Sequence, residues 1–234
     1  MKKLSKKTIA FLAAAVILFA GSGVMGTRAV LNIYSPDYTL EFATDDQDVA
    51  LIENGTQVSG NNSLIQFLGG KFTPGKAYTE QLSALNTSES DQYVRVIVRK
   101  YWIQPGSDAT EKSFADRKLD PAMIGLEFAG GNWVENKSEA TDERNVYYYT
   151  QLVPSGGETS IFTKTLTVDG KVVDDVTYSD ADNGVVTYTY KYDGYQIVIE
   201  AEAQSIQTHN ANDAVKSIWG VQNVSVSGTT LSVN

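Results

Sequence analysis

From Tyr93 to Trp102 the chain alternates with period two: Val94, Val96, Val98 and Trp102 fall on one side, Arg95, Arg99 and Tyr101 on the other. On a helix the same residues would be scattered around the axis, so the run is a strand with one buried face. The opposite face is a basic stripe, suited to cross-strand Asp or Glu partners or to an acidic partner molecule.

Similar short runs rich in Val, Thr and Tyr recur between clusters of Gly, Asn, Asp and Pro, the pattern of a sandwich of short antiparallel strands. Strands are expected over Tyr38 to Phe42, Tyr78 to Leu85, Tyr147 to Val153 and Ile161 to Val168. Asp193-Gly194 is expected to turn a hairpin between Val185 to Tyr192 and Tyr195 to Gln204, because Asp-Gly supplies the positive φ of a tight turn. Further turns are expected at Asp169-Gly170 and Asp182-Asn183-Gly184, and a last strand over Val221 to Val233. Tyr188, Tyr190 and Tyr192 share one side of their run; the row is either half-buried core or a sugar-stacking face or subunit interface.

Helix is scarce. Asp120-Pro121 reads as cap and first position of one turn through Ile124. Ala211, Ala214, Val215, Ile218 and Trp219 recur at helical spacing, with Asn210 as cap and Gly220 as stop, which describes one short amphipathic helix near the C-terminus. The fold class expected is therefore mainly β: an antiparallel β-sandwich carrying one helix.

Lys2, Lys3, Lys6 and Lys7 precede an apolar run from Ile9 to Ala20, and Thr27-Arg28-Ala29 offers an A-x-A-like cleavage site. Residues 1–29 are expected to be a signal peptide cut after Ala29, leaving residues 30–234 as one domain; an uncleaved anchor is the alternative. The membrane is then met only through this segment. Its removal takes four lysines and Arg28 but no acid, leaving 14 basic against 28 acidic side chains. Such a surface repels phosphate backbones, so nucleic acid is not an expected partner. No cysteine is present to form a disulfide, although an exported chain could hold one.

The residues for common catalytic chemistries are missing or isolated. His209 is the single histidine and stands at the expected helix start, which leaves no Ser-His-Asp or Cys-His pairing and no helical zinc motif. Acid clusters such as Asp45, Asp46 and Asp48, Asp174 and Asp175, or Asp180 and Asp182 read as solvated loops rather than calcium sites. No enzyme activity, metal or cofactor is expected.

Phe72-Thr73-Pro74-Gly75-Lys76, the run from Tyr78 to Leu85, Asn86, and then Tyr93-Val94-Arg95-Val96 follow one another in this order. Leu152-Val153-Pro154-Ser155-Gly156 leads into Ile161-Phe162, and Ile199 to Gln207 leads to the helix ending at Trp219. In that order the motifs resemble the TasA and camelysin proteins, bacterial secreted matrix proteins exported with a specialised signal peptide. The resemblance implies a jelly-roll-like sandwich, secretion to the cell surface, and self-association or association with a related subunit in biofilm-matrix fibres. It also implies a donor strand at the new N-terminus, here Val30, Leu31, Asn32, Ile33 and Tyr34, against the reading of these residues as an ordinary first strand or frayed tail. Gly26-Thr27-Arg28-Ala29 departs from the family's cleavage region. The alternative function is a surface adhesin or carbohydrate-binding module that holds a glycan on Tyr188, Tyr190 and Tyr192.

Overall fold

The structure is a computed structural model that describes residues 26–32, 48–58, 73–103, 118–174, 176–180, 186–192 and 195–234. The expected signal run and the expected strand over Tyr38 to Phe42 lie outside the described residues. Fifteen strands form among the described residues, and every pairing is antiparallel.

The centre is a five-stranded sheet in the order β1-β13-β6-β9-β8, built from β1 (Gly26–Asn32), β13 (Gln196–Gln207), β6 (Gln92–Ile103), β9 (Arg144–Tyr149) and β8 (Trp133–Glu135). β6 and β13 pair without a bulge from Gln92↔Gln207 to Ile103↔Gln196. The alternation read in the sequence holds for one side, where Val94, Val96, Val98 and Trp102 join Tyr147, Tyr149, Ile199, Ala201 and Ala203 in the larger core; the expected single buried face does not, since Tyr93, Arg95 and Ile97 on the other side are buried too.

A second layer covers that face. It comprises β3-β2-β5, with β2 (Val49–Glu53), β3 (Thr56–Gln57) and β5 (Leu82–Asn86), and β4-β10-β7, with β4 (Ala77–Thr79), β7 (Ile124–Phe128) and β10 (Thr163–Val168). Backbone bonds from Thr159 to Ala84 and from Phe162 to Leu82 join β5 to the segment that leads into β10 and so link the two small sheets. Val49, Leu51, Leu82, Ile124, Phe162 and Leu166 are buried against the central sheet, each worth roughly 1.5–3 kcal/mol of transfer free energy.

The other face of the central sheet is also covered. Tyr93, Ile97, Val146, Tyr148 and Ile206 pack against α1 (Ala211–Ser217) and the hairpin of β14 (Val224–Ser227) and β15 (Thr230–Val233). The helix forms where its spacing placed it, but Ile218 is 48 % exposed while Ala211, Val215 and Trp219 are buried, so the apolar stripe is narrower than expected. Asn210 enters it at φ 53° without a side-chain cap bond. Gly220 follows the helix at φ 71°, the left-handed geometry that favours glycine.

Three sequence expectations are corrected. The run from Tyr78 to Leu85 is two strands, because the strand is interrupted at Glu80-Gln81 and gives β4 and β5 to different sheets. Val221 to Val233 folds back on itself at Gly228, φ 60°, instead of running straight. β12 (Val186–Tyr190) does not pair with β13; it pairs with β11 (Val176–Asp180), because β6 and β1 already occupy both edges of β13. Asp193-Gly194 and Asp182-Asn183-Gly184 lie outside the described residues. Asp120 behaves as expected: its carboxylate accepts from Ala122 N at 2.8 Å and starts a single turn at Pro121. Asp169 caps a similar turn, Gly170–Val173, through Lys171 N.

Candidate functional site

The segment singled out as a donor strand sits on the edge of the central sheet. Val30 lies opposite Glu200, Leu31 opposite Ile199 and Asn32 opposite Val198, within a ladder that begins at Gly26↔Gln204. Ile33 and Tyr34 lie outside the described residues. The strand therefore starts four residues before the expected cut after Ala29, and the expected boundary falls inside β1. Main-chain pairing holds it, so the site is defined by an edge rather than by side-chain chemistry.

Tyr190 is 46 % exposed. Tyr192 is half-buried, its ring 5.0 Å from that of Trp102, with Lys191 Nζ 5.7 Å from the ring centroid. Tyr188 pairs with Tyr178 in the β11–β12 register. The contact with Trp102 covers part of the Tyr192 ring.

The basic stripe is paired within the molecule. Arg99 lies 3.4 Å from Glu202 and 4.0 Å from Glu200, and the Tyr101 hydroxyl donates to Glu200 at 3.2 Å. Burial and the Glu200 carboxylate push the Tyr101 phenol upward. Arg95 is 4 % exposed and fully engaged: Nε donates to Gln204 Oε1 at 2.7 Å, and Nη1 donates to the Tyr148 hydroxyl and the Trp219 carbonyl at 3.1 and 3.2 Å. Glu139 lies 3.8 Å away and accepts from the Tyr148 hydroxyl at 2.6 Å, and the guanidinium lies 5.1 Å from the Trp219 ring. Burial and then the bond to Glu139 push Tyr148 up to about 12, with Arg95 opposing. This network pins the end of α1 to the sheet, and alternation alone could not reveal it.

Sequence reading also missed Glu80. It is 1 % exposed where β4 gives way to β5, with the Glu53 carboxyl and Asn54 as its polar neighbours. Burial raises its pKa to about 8, with the Glu53 carboxyl adding and Asn54 opposing. A Glu beside Gln81 in an otherwise alternating run was the available signal.

The motif residues Pro74-Gly75 and Asn86 have local roles. Gly75 takes φ 79° in the turn before β4. Asn86 is buried; its amide donates to the Ser90 and Val153 carbonyls at 2.8 and 3.0 Å, while its Oδ1 accepts from Ser88 N and Oγ. His209 is exposed in the turn before α1. Among the described residues there is no cluster of three His, Cys, Asp or Glu able to hold a metal, and no helix long and apolar enough to cross a membrane. No family model, no curated protein and no solved structure matches the chain.

Proposed function

We propose that this protein is an exported structural subunit of a bacterial extracellular matrix, of the TasA and camelysin kind, and that it assembles by strand exchange at the β1 edge. The observation that carries this reading is the position of β1: among the described residues, the strand next to the expected export segment is the outermost member of the central sheet and pairs with β13 alone. A cut after Ala29 removes Gly26, Thr27, Arg28 and Ala29 from the ladder. It leaves β13 from Ala201 to Gln204 open to a strand from another subunit. The adhesin alternative has less support, because Tyr192 is packed on Trp102.

The test begins with the N-terminus of the secreted protein, read by peptide mapping, and its size by gel filtration. A chain starting at Val30 is expected to form oligomers, and one lacking residues 30–35 to stay monomeric. Two monomers would overturn the proposal.

A further inference from the structure

Lys100 lies between Val98 and Trp102 on the side of β6 that faces the larger core, a rare position for an ammonium group. Its Nζ donates to the Ile124 carbonyl at 2.6 Å. Burial lowers the pKa of the amine, and Asp120, Asp142 and Glu135 oppose that shift.

Asn145 on β9 points the same way as Tyr147 and Tyr149, which are both core residues. It stands opposite Val98, and the ladder continues through Lys100 N to the Glu143 carbonyl at 2.9 Å, which makes Lys100 and Asn145 diagonal neighbours on one face. On the next strand Glu135 shares the face of Trp133 and accepts from Asn145 Nδ2 at 2.7 Å. An amine, a carboxamide and a carboxylate thus lie side by side on three adjacent strands.

We infer that Lys100 and Asn145 join in an intramolecular isopeptide bond, with Glu135 as the catalytic residue that moves the proton. Diagonal neighbours are about 7–8 Å apart, a gap the four-methylene stem of lysine spans once Nζ swings away from the Ile124 carbonyl. The uncharged amine attacks Asn145 Cγ, and its lone pair forms the new Nζ–Cγ bond. Glu135 accepts the proton that Nζ sheds and passes it to Nδ2, with which it is already in contact. The Cγ–Nδ2 bond breaks with its electron pair on nitrogen, and ammonia leaves. One amide is exchanged for another, so no oxidant, reductant or cofactor is required. The link would clamp β6 to β9 in a chain with no cysteine to form a disulfide.

The full chain is exported, purified and weighed by intact-mass spectrometry against the mass calculated for its own termini. The expected result is a deficit of one ammonia, and a tryptic digest containing a branched peptide that joins Lys100 to Asn145 with no cleavage after Lys100. Lys100→Arg, Asn145→Ala and Glu135→Ala are each expected to restore the full mass. Should a variant fail to fold, the mass and peptide map of the unaltered protein decide alone. An unaltered protein of full mass overturns the inference. So does a deficit of one water with Lys100 joined to Asp120 or Asp142, or a deficit that survives Asn145→Ala.

Discussion

Replacing Glu80 by Gln is expected to change the pH dependence of stability in a direction opposite to that of most acidic side chains. The carboxyl is 1 % exposed and its pKa in the folded protein is about 8, against an ordinary value of 4.5. Below pH 4.5 it is neutral in folded and unfolded chains alike and has no effect on their balance. Between 4.5 and 8 the unfolded chain releases the proton and the folded chain keeps it. Folding then takes up a proton, and stability falls by about 1.4 kcal/mol per pH unit. At pH 7 the accumulated cost is roughly 3 kcal/mol, and above 8 it levels off. This is a large share of the roughly 5–15 kcal/mol that holds a typical domain folded.

Glutamine keeps the shape and removes the titration. Urea unfolding of the Glu80→Gln and unaltered proteins at half-unit intervals from about pH 4 to 9 isolates the group, because the titrations of all other residues cancel in the difference. The variant is expected to match the unaltered protein near pH 4 and to exceed it by roughly 3 kcal/mol at pH 7. A difference that does not vary over this range would refute the reasoning. Glu53→Gln is expected to give a smaller gain of the same sign, since the Glu53 carboxyl is the second cause of the shift after burial.

Two further substitutions probe the polar contacts. Arg95→Met removes the donor to Gln204, Tyr148 and the Trp219 carbonyl, while Glu139 keeps Arg144 at 3.6 Å, and is expected to lower stability by about 1–3 kcal/mol by leaving buried polar groups short of a partner, as read in urea unfolding. Asn86→Ala leaves the buried Val153 carbonyl without the Asn86 donor and is expected to cost about 1–3 kcal/mol, seen as a lower thermal midpoint in calorimetry.

What could be read from the sequence follows from which elements bury a single face or carry a local cap. β6 was legible as a strand from the alternation of valine and tryptophan on one side, but its second buried side was not, because Arg95 and Arg99 read as a solvated stripe whereas Tyr93, Arg95 and Ile97 are buried under α1 and the C-terminal hairpin. The turn at Pro121 and the helix over Ala211–Ser217 were legible from cap chemistry and a 3.6-residue period. Pairing was not legible. β12 alternates as well as any strand, yet its partner is β11, because competition for the edges of β13 is settled by β6 and β1 from distant parts of the chain. The break at Glu80 was hidden for a similar reason: an isolated acid in a strand reads as solvent-facing, and only the meeting of two small sheets encloses it. Of the candidate site residues, Val30, Leu31 and Asn32 fall in one strand that pairs within the chain, and Tyr192 packs on Trp102.

The central sheet also determines where strand exchange and covalent locking could coexist. Both of its faces are packed, one by the small sheets and the other by α1 and the β14–β15 hairpin, so face-to-face growth would require dismantling a core. The β1 side is different, since a strand there can be replaced by another strand that makes the same main-chain bonds. The proposed Lys100–Asn145 bond joins β6 to β9, on the far side of β6 from β13. It would therefore hold the middle of the sheet closed while β13 exchanges its outer partner. If the two proposals are correct together, Asn145→Ala should lower resistance of assembled material to denaturant without altering the ability of the chain starting at Val30 to oligomerise under native conditions. Loss of native oligomerisation in a folded Asn145→Ala protein would show that the two sites are not independent.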